Sequence, residues 1–267
     1  MPFLPHRHRR PIAVTALAAA LALTATGCLG GDDRAKGPFD GKPDREIIDT
    51  AIAATKSARS LTLTAEGSMA TTRAKKKEPM KLRISVHQDG RCSGTMSVAG
   101  QGSVEFAADG KDTYLRPDEQ FLRFQLKQPD EDGAGLSDRE ADGVVKLMKG
   151  KWHKADAAEP GSKDFTEFCD VDSLLADFGS GTTAGVKQAG EASVDGRKTL
   201  KFTQGDKNEE ELHVATEGKP YVLKLIGTPE DEKKDGELKT IVLSDFDKAP
   251  LPKIPAPAEI VDPDKLG

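Results

Sequence analysis

The sequence is poor in aromatic residues and in histidine. Aromatic residues make up 5% of its 267 residues, there is one tryptophan, and the histidines number five. We therefore do not expect a site that stacks sugars or encloses a ligand between aromatic rings. Acidic residues outnumber basic ones, 44 against 39, for a net charge of −5. This balance argues against nucleic acid as a partner, because a nucleic-acid-binding face needs clustered positive charge.

Motifs of catalysis and cofactor binding are missing as well. The chain has no Gly-Xaa-Ser-Xaa-Gly nucleophile turn, no HExxH zinc motif and no P-loop. Three histidines follow the N-terminal segment, and His87, His153 and His213 lie far apart in the sequence. The sequence thus predicts a protein that is not an enzyme and has no metal site and no cofactor.

The N-terminal segment has the pattern of a secretory signal peptide. Basic residues at positions 6–10 precede an apolar run over residues 12–25, which is shorter than the ~20 residues of a membrane span. Small residues then lead to Cys28, an arrangement that resembles a bacterial lipobox. The resemblance implies cleavage before Cys28 and attachment of fatty acyl chains, such as palmitate, to this residue. An ordinary signal peptide followed by a chance cysteine is the alternative.

These features predict how the chain is divided. Residues 1–27 are the expected signal peptide, and residues 28–43, rich in Gly, Asp and Lys, are an expected flexible tether. Residues 44–262 are expected to form a single domain. Acyl chains contribute roughly 0.8 kcal/mol per buried methylene, and two of them anchor a protein stably. We therefore expect a lipid-anchored protein on the extracytoplasmic face of the cell membrane.

Two cysteines, Cys92 and Cys169, fall within the expected domain. An oxidising compartment favours a disulfide between them. Two buried thiols are the alternative. A metal site is less favoured, because the chain has no CxxC pair and no neighbouring histidines.

Hydrophobic patterning predicts a domain built mostly of strands. Helical spacing is confined to residues 44–59, 139–149 and 165–178. Elsewhere apolar and polar residues alternate, as they do in residues 61–69 and 80–86. Asp-Gly pairs separate several of these runs and are typical of tight hairpins; they include Asp89-Gly90, Asp109-Gly110 and Asp195-Gly196.

The order of these elements predicts an α+β fold. We expect about ten strands in one strongly curved antiparallel sheet, a half-barrel, because an open sheet of this size curls. The helices should gather on its concave face. The last segment, residues 249–261, contains four prolines and cannot form a central strand. It is expected to lie over the sheet as an extended strap.

The arrangement resembles the actinobacterial LppX/LprAFG lipoproteins, which share the fold of the lipoprotein carrier LolA. The similar segments are the hairpin Ser193–Leu200, the strand Lys219–Leu225, and Leu243–Phe246 leading into Pro250–Pro257. Residues 128–164 have no matching feature. The resemblance implies a LolA/LppX-like fold and a cavity that takes the acyl chains of lipids or glycolipids.

An apolar cavity is also one explanation for strands that are apolar on both faces near the end of the chain. The residues expected to line it are Leu63, Ile84, Phe106, Phe202, Leu223 and Leu225. The same residues can instead form a filled core against the helices. The sequence leaves both arrangements open.

Two functions are compatible with these patterns. The favoured one is a tethered lipoprotein that binds or carries acyl chains of a membrane lipid or glycolipid in an apolar cavity. The alternative is a cell-surface interaction or sensor module that binds another envelope protein. The basic run Arg73–Lys77 fits contact with anionic headgroups and, more simply, a charged hairpin tip that keeps an edge soluble. A large pocket favours the carrier, whereas a filled interior with an exposed apolar patch favours the interaction module.

Overall fold

The structure is a computed structural model that describes residues 39–70, 77–128, 135–155, 169–172, 175, 185–204, 210–227 and 237–261. The described residues belong to one compact unit that starts at Gly37. The expected signal peptide, the expected lipidation residue Cys28 and most of the expected tether lie outside them.

Helices are few and strands are many among these residues. The helices are α1 (Asp44–Lys56), α2 (Glu119–Leu126) and α3 (Asp138–Met148), with a 3₁₀ turn at Pro257–Glu259. The strands are β1 (Ser60–Ala70), β2 (Lys77–His87), β3 (Arg91–Val98), β4 (Gly102–Asp109), β5 (Thr113–Pro117), β6 (Trp152–Lys154), β7 (Lys187–Val194), β8 (Arg197–Gln204), β9 (Glu210–Ala215), β10 (Val222–Ile226), β11 (Glu237–Ser244) and β12 (Ile260–Val261).

All of these strands belong to one open sheet. Its order is β12-β6-β5-β4-β3-β2-β1-β11-β10-β9-β8-β7, and every described pairing is antiparallel except β12 with β6. The predicted α+β class with an antiparallel sheet is confirmed, and an unclosed sheet of this size is consistent with a curved half-barrel. The sheet has twelve strands rather than about ten, because the short edge strands β6 and β12 add to the alternating runs.

Tight turns connect neighbouring strands where Asp-Gly pairs occur. Asp195 and Gly196 join β7 to β8 with φ angles of 48° and 78°, as a two-residue turn with two left-handed positions requires. Gly90 and Gly110 also have positive φ, and they lie between β2 and β3 and between β4 and β5. These hairpins were predicted from the sequence and are confirmed.

The helices agree in part with the sequence. α1 and α3 match the predicted helical segments, and Ser137 and Glu140 form a capping box at the start of α3. α2 was not predicted; Asp118 caps it by accepting the backbone N–H of Phe121 at 2.7 Å. The third expected helix, residues 165–178, falls mostly outside the described residues.

Strand register separates an apolar face from a polar one. Leu63 of β1 lies opposite Ile84 of β2 and Leu243 of β11; we call this side the inner face. Thr62 lies on the opposite side, the outer face, beside Ser85 and Ser244. α1 covers the inner face, because its buried residues share one apolar cluster with the inner-face residues of the sheet.

The proline-rich segment lies over the sheet, as predicted, and the structure places it on the outer face. The Ala249 N–H donates to Ser60 Oγ at 3.2 Å, and His87 Nε2 lies 3.0 Å from the Pro250 carbonyl oxygen. Every third residue, Ala249, Pro252 and Pro255, is buried, which is the period of a polyproline II helix with one edge docked. The strap starts at the end of β11 and reaches β12, which pairs with β6 at the sheet's far edge.

Candidate functional site

The inner face brings together all the residues that the sequence singled out as a possible cavity lining. Leu63, Ile84 and Phe106 come from the N-terminal half of the sheet, and Phe202, Leu223 and Leu225 come from the C-terminal half. All six belong to one apolar cluster. None of them is more than 2% exposed, so these side chains are buried as core residues are.

A glycine in β3 allows the N-terminal part of this cluster to pack closely. Gly94 lies between Ile84 and Phe106 in the register of the sheet. A Cβ atom at Gly94 would lie 2.8 Å from Phe106 Cζ and would collide with the Arg83 carbonyl oxygen. The ring of Phe106 therefore occupies the space that a β3 side chain would otherwise need. Sequence reasoning missed this contact, and its signal is a glycine in the middle of an alternating strand.

Helix α1 is one part of the cover on the inner face. Asp44 in its first turn accepts the backbone N–H of Gln188 on β7 at 3.0 Å. Thr55 in its last turn accepts the backbone N–H of Val222 on β10 at 2.9 Å. The helix is thus hydrogen-bonded at both ends to the C-terminal half of the sheet.

A disulfide holds the second part of the cover. Cys92 of β3 is bonded to Cys169, with Cα atoms 5.5 Å apart, so the two cysteines are not free thiols. Leu175, six residues further on, is buried in the inner-face cluster. Lys56 at the end of α1 lies 3.2 Å from Asp172. The residues around Cys169 are therefore attached both to β3 and to α1.

The inner face is broader than α1. Its buried apolar residues lie on eight adjacent strands, from β4 to β8. The hydrogen bonds at the two ends of α1 are to β7 and β10, so the helix runs across the strands of the C-terminal half. The strands β11, β1, β2, β3 and β4 lie beyond these two anchors.

Polar groups gather at the junction between α1 and β1. Asp247 accepts hydrogen bonds from the Arg59 N–H at 2.9 Å, the Tyr221 hydroxyl at 3.1 Å and Lys219 Nζ at 3.2 Å. The hydrogen bonds from Arg59 and Lys219, in that order, lower the pKa of Asp247 to about 2. The ring of Tyr221 stacks on Phe246 at 4.0 Å. The network joins the start of β1 to the segments that flank β10 and β11.

The three histidines lie at separate places in the sheet. His213 is buried on the outer face, 3.2 Å from Glu211 Oε2 and 3.4 Å from Thr199 Oγ1, and burial lowers its pKa. Burial also lowers the pKa of His153, whose Nδ1 has no hydrogen-bond partner. Within the described ranges, no three acidic, histidine or cysteine side chains come together in a way that could hold a metal ion.

Three of the large apolar side chains in the described ranges are well exposed. Leu136 and Leu147 lie before and within α3, and Leu251 on the strap is 67% exposed. The basic run Arg73–Lys77 lies outside the described residues except for Lys77, which begins β2. No helix in the described part of the chain combines the length and the hydrophobicity of a membrane span.

Comparisons with known proteins give similar solved structures only. No protein-family model matches the chain, and no curated protein matches it. LprF from Mycobacterium bovis is 16% identical, with a TM-score of 0.49 over 80% of this chain and 96% of that one. The lipoprotein LppX from Mycobacterium tuberculosis is 12% identical, with a TM-score of 0.41 over 77% and 96%. A LolA superfamily protein from Nitrosomonas europaea is 11% identical, with a TM-score of 0.21 over 78% and 94%.

Proposed function

We propose that the protein is a membrane-anchored, extracytoplasmic lipoprotein that binds or carries the acyl chains of a membrane lipid or glycolipid on its inner face. The observation that carries this proposal is the breadth of the inner face. Its buried apolar residues lie on eight strands, while the hydrogen bonds of α1 to the described part of the sheet reach its C-terminal half. An acyl chain can bind there by replacing part of the cover, and binding needs no bond to be made or broken.

The two faces of the sheet support a carrier of this kind. On the outer face, charged and polar side chains pair across strands, such as Lys81 with Glu66 at 3.3 Å and Arg83 with Thr64 at 3.3 Å. This face can remain in water while the inner face takes an apolar ligand. Each methylene group removed from water contributes about 0.8 kcal/mol, so an acyl chain has ample driving force to enter.

The anchor and the location are part of the proposal. Residues 1–27 are removed on export, Cys28 receives the acyl chains, residues 28–43 act as tether, and residues 44–262 form the lipid-binding domain. The Cys92–Cys169 disulfide supports a location outside the cytoplasm, because disulfides persist in oxidising compartments.

A second function has its own supporting observation. The six candidate lining residues are fully buried, and a filled interior favours a surface module that binds another envelope protein. Leu251 on the strap is the most exposed large apolar side chain among those the structure describes. A partner that contacts the strap would cover this residue.

Extraction of bound lipid tests the proposed function. The chain from residue 29 onward is placed behind a cleavable secretory signal peptide without a lipobox, exported by a bacterial host, purified without detergent, and extracted with organic solvent for mass spectrometry. Because this chain lacks Cys28, any lipid in the extract is cargo and not the anchor. We expect a lipid at close to one per protein, and we expect a fluorescent fatty acid to bind a second sample of the protein that is kept native.

Two variants make the test specific to the inner face. Leu223→Trp enlarges a buried side chain of the inner-face cluster and should abolish lipid binding, while Leu251→Trp on the exposed strap should leave it intact. Circular dichroism verifies that both variants are folded. An empty extract together with no binding of the fluorescent fatty acid would overturn the carrier function and direct attention to a protein partner.

A further inference from the structure

Methionine side chains cluster at one end of the inner face. The chain has five methionines, and Met69, Met80 and Met96 lie on the neighbouring strands β1, β2 and β3. Met80 is opposite Gly67, and Met96 is opposite Leu82, so all three are on the inner face. We call this the methionine end.

The other end of the inner face is closed. Leu61, Val86, Cys92 and Ala108 are aligned across β1 to β4. None of them is more than 3% exposed. Cys92 is also bonded to Cys169, so a covalent link fixes part of the cover at this end, which we call the disulfide end.

At the methionine end, apolar side chains extend from the cluster to the surface. Met69 of β1, Leu238 of β11 and Phe121 of α2 pack against the buried cluster but remain partly exposed. Leu238 lies opposite Gly67 on the β1–β11 pair. Met80 and Met96 are themselves buried, 2% and 7% exposed, so the inner face meets solvent here at Met69, Leu238 and Phe121.

Helix α2 packs firmly on the sheet beside these partly exposed side chains. A Cβ atom at Gly102 would lie 2.5 Å from Asp118 Oδ1 and would collide with the Phe121 backbone nitrogen. The start of α2 thus lies directly on β4. Asp118 also accepts hydrogen bonds from the N–H and hydroxyl of Ser103, at 2.8 and 2.7 Å. These contacts fix the position of Phe121. The methionines at this end of the inner face, in contrast, have flexible side chains.

We propose that an acyl chain enters the inner face at the methionine end, methyl terminus first, and leaves its polar headgroup at that end. This inference rests on the proposed function and identifies where the acyl chain enters. We call this entry site, formed by Met69, Leu238 and Phe121, the port. Methionine is unbranched and adapts to irregular neighbours, which suits a passage for flexible chains of differing shape. The disulfide end then receives the methyl terminus.

Photolabelling of the same unlipidated chain, residues 29–267, tests the direction in which the acyl chain enters. Two fatty acids are used, one with a diazirine near the carboxyl group and one with a diazirine near the methyl terminus, and labelled residues are found by peptide mass spectrometry. We expect the carboxyl-side probe to label Met69, Phe121 or Leu238. The methyl-side probe should label the deeper residues Leu63 or Phe106. The reverse pattern would overturn the port.

A matched pair of variants tests the passage itself. Met69→Glu places a charge in the port, and Val242→Glu places one at a partly buried residue on the outer face of β11. We expect Met69→Glu to slow fatty-acid uptake about tenfold, because the chain must pass a charge held beside apolar surface, and Val242→Glu to leave the rate near that of wild type. Equal rates for both variants would reject the port, whereas a wild-type chain that takes up no fatty acid would reject the proposed function.

Discussion

At Gly94 the packing of two strands depends on a missing side chain. We expect Gly94→Ala to destabilise the protein by about 1–3 kcal/mol, the usual range for overpacking, because the new Cβ meets Phe106 Cζ and the Arg83 carbonyl oxygen. Denaturation in urea, followed by circular dichroism, measures the free energy of unfolding.

Gly143 provides the matched control for this substitution. It lies inside α3, where an added Cβ would meet no atom within 4 Å. Gly143→Ala should therefore stabilise the protein by roughly 0.5–1 kcal/mol through helix propensity. If Gly94→Ala were as stable as Gly143→Ala, the close packing of Phe106 on β3 would be wrong.

The ionisation of Asp247 makes the free energy of unfolding depend on pH in the acid range. Hydrogen bonds lower its pKa from 3.8 to about 2, so the ionised carboxylate favours the folded state above the unfolded pKa. This contribution is lost as the pH falls through the folded value of about 2. Asp247→Asn keeps a residue that tolerates the φ of 61° and removes the charge.

The measurement is the difference in unfolding free energy between wild type and Asp247→Asn at several pH values. We expect this difference to be constant near neutral pH and to shrink between about pH 4 and pH 2. Tyr221→Phe keeps the ring stacked on Phe246 but removes one of the three donors to Asp247. It should therefore lower the unfolding free energy as Asp247→Asn does, but by less. A difference that stays constant down to pH 2 would contradict the network.

Single residues also show how far the sequence could predict the site. Leu63 and Ile84 were identified by alternation, which fixes the face of a residue once one neighbour is buried. Alternation does not report distances between strands, so it did not reveal that Phe106 covers Gly94. It also could not tell a filled core from a cavity, because both need apolar side chains on the same face.

At the scale of elements, the disulfide fixes the cover to the sheet. The bond joins cysteines separated by 77 residues, and the chain-entropy relation gives about 4 kcal/mol for a loop of this length. We expect Cys92→Ala/Cys169→Ala to lose stability of this order in guanidinium denaturation under oxidising conditions. An unchanged unfolding midpoint would show that the bond adds no net stability.

The strap offers a second prediction at this scale. Pro252 is buried and Pro250 is exposed, so they face opposite environments on the same extended segment. Pro252→Asp should destabilise the protein by about 1–3 kcal/mol, because a charge loses its water. Pro250→Asp changes the unfolded chain in the same way and should have little effect. Similar losses in both variants would argue against a strap with one docked edge.

Elements differed in how well the sequence indicated them. Long alternating runs bounded by Asp-Gly pairs predicted β2, β3, β7 and β8 correctly, because turn chemistry and period agree there. The eight residues of α2 are too few to show a helical period against their surroundings. β12 has two residues and pairs in parallel with β6, a contact that no local pattern encodes.

For the whole molecule, the position of each strand in the sheet predicts its local stability. β1 and β2 lie near the middle of the sheet order, whereas β7 is an edge strand whose residues 187–193 are exposed or half-buried. We expect backbone amides of β1 and β2 to exchange hydrogen most slowly and those of β7 most quickly. Hydrogen–deuterium exchange with mass spectrometry measures this order, and equal protection of β7 and β1 would contradict it.

The strand order has a consequence for how the chain is made. β1 is among the first strands to be synthesised, yet one of its two neighbours is β11, which is synthesised near the end. The anchors of α1, Gln188 and Val222, also belong to the later half. In a growing chain, the edge of β1 is therefore unpaired and the apolar inner face of the N-terminal strands is uncovered. Exposed strand edges and apolar surfaces of this kind favour aggregation. The topology of this fold therefore requires that the N-terminal strands be protected from aggregation until β11 has been synthesised and pairs with β1.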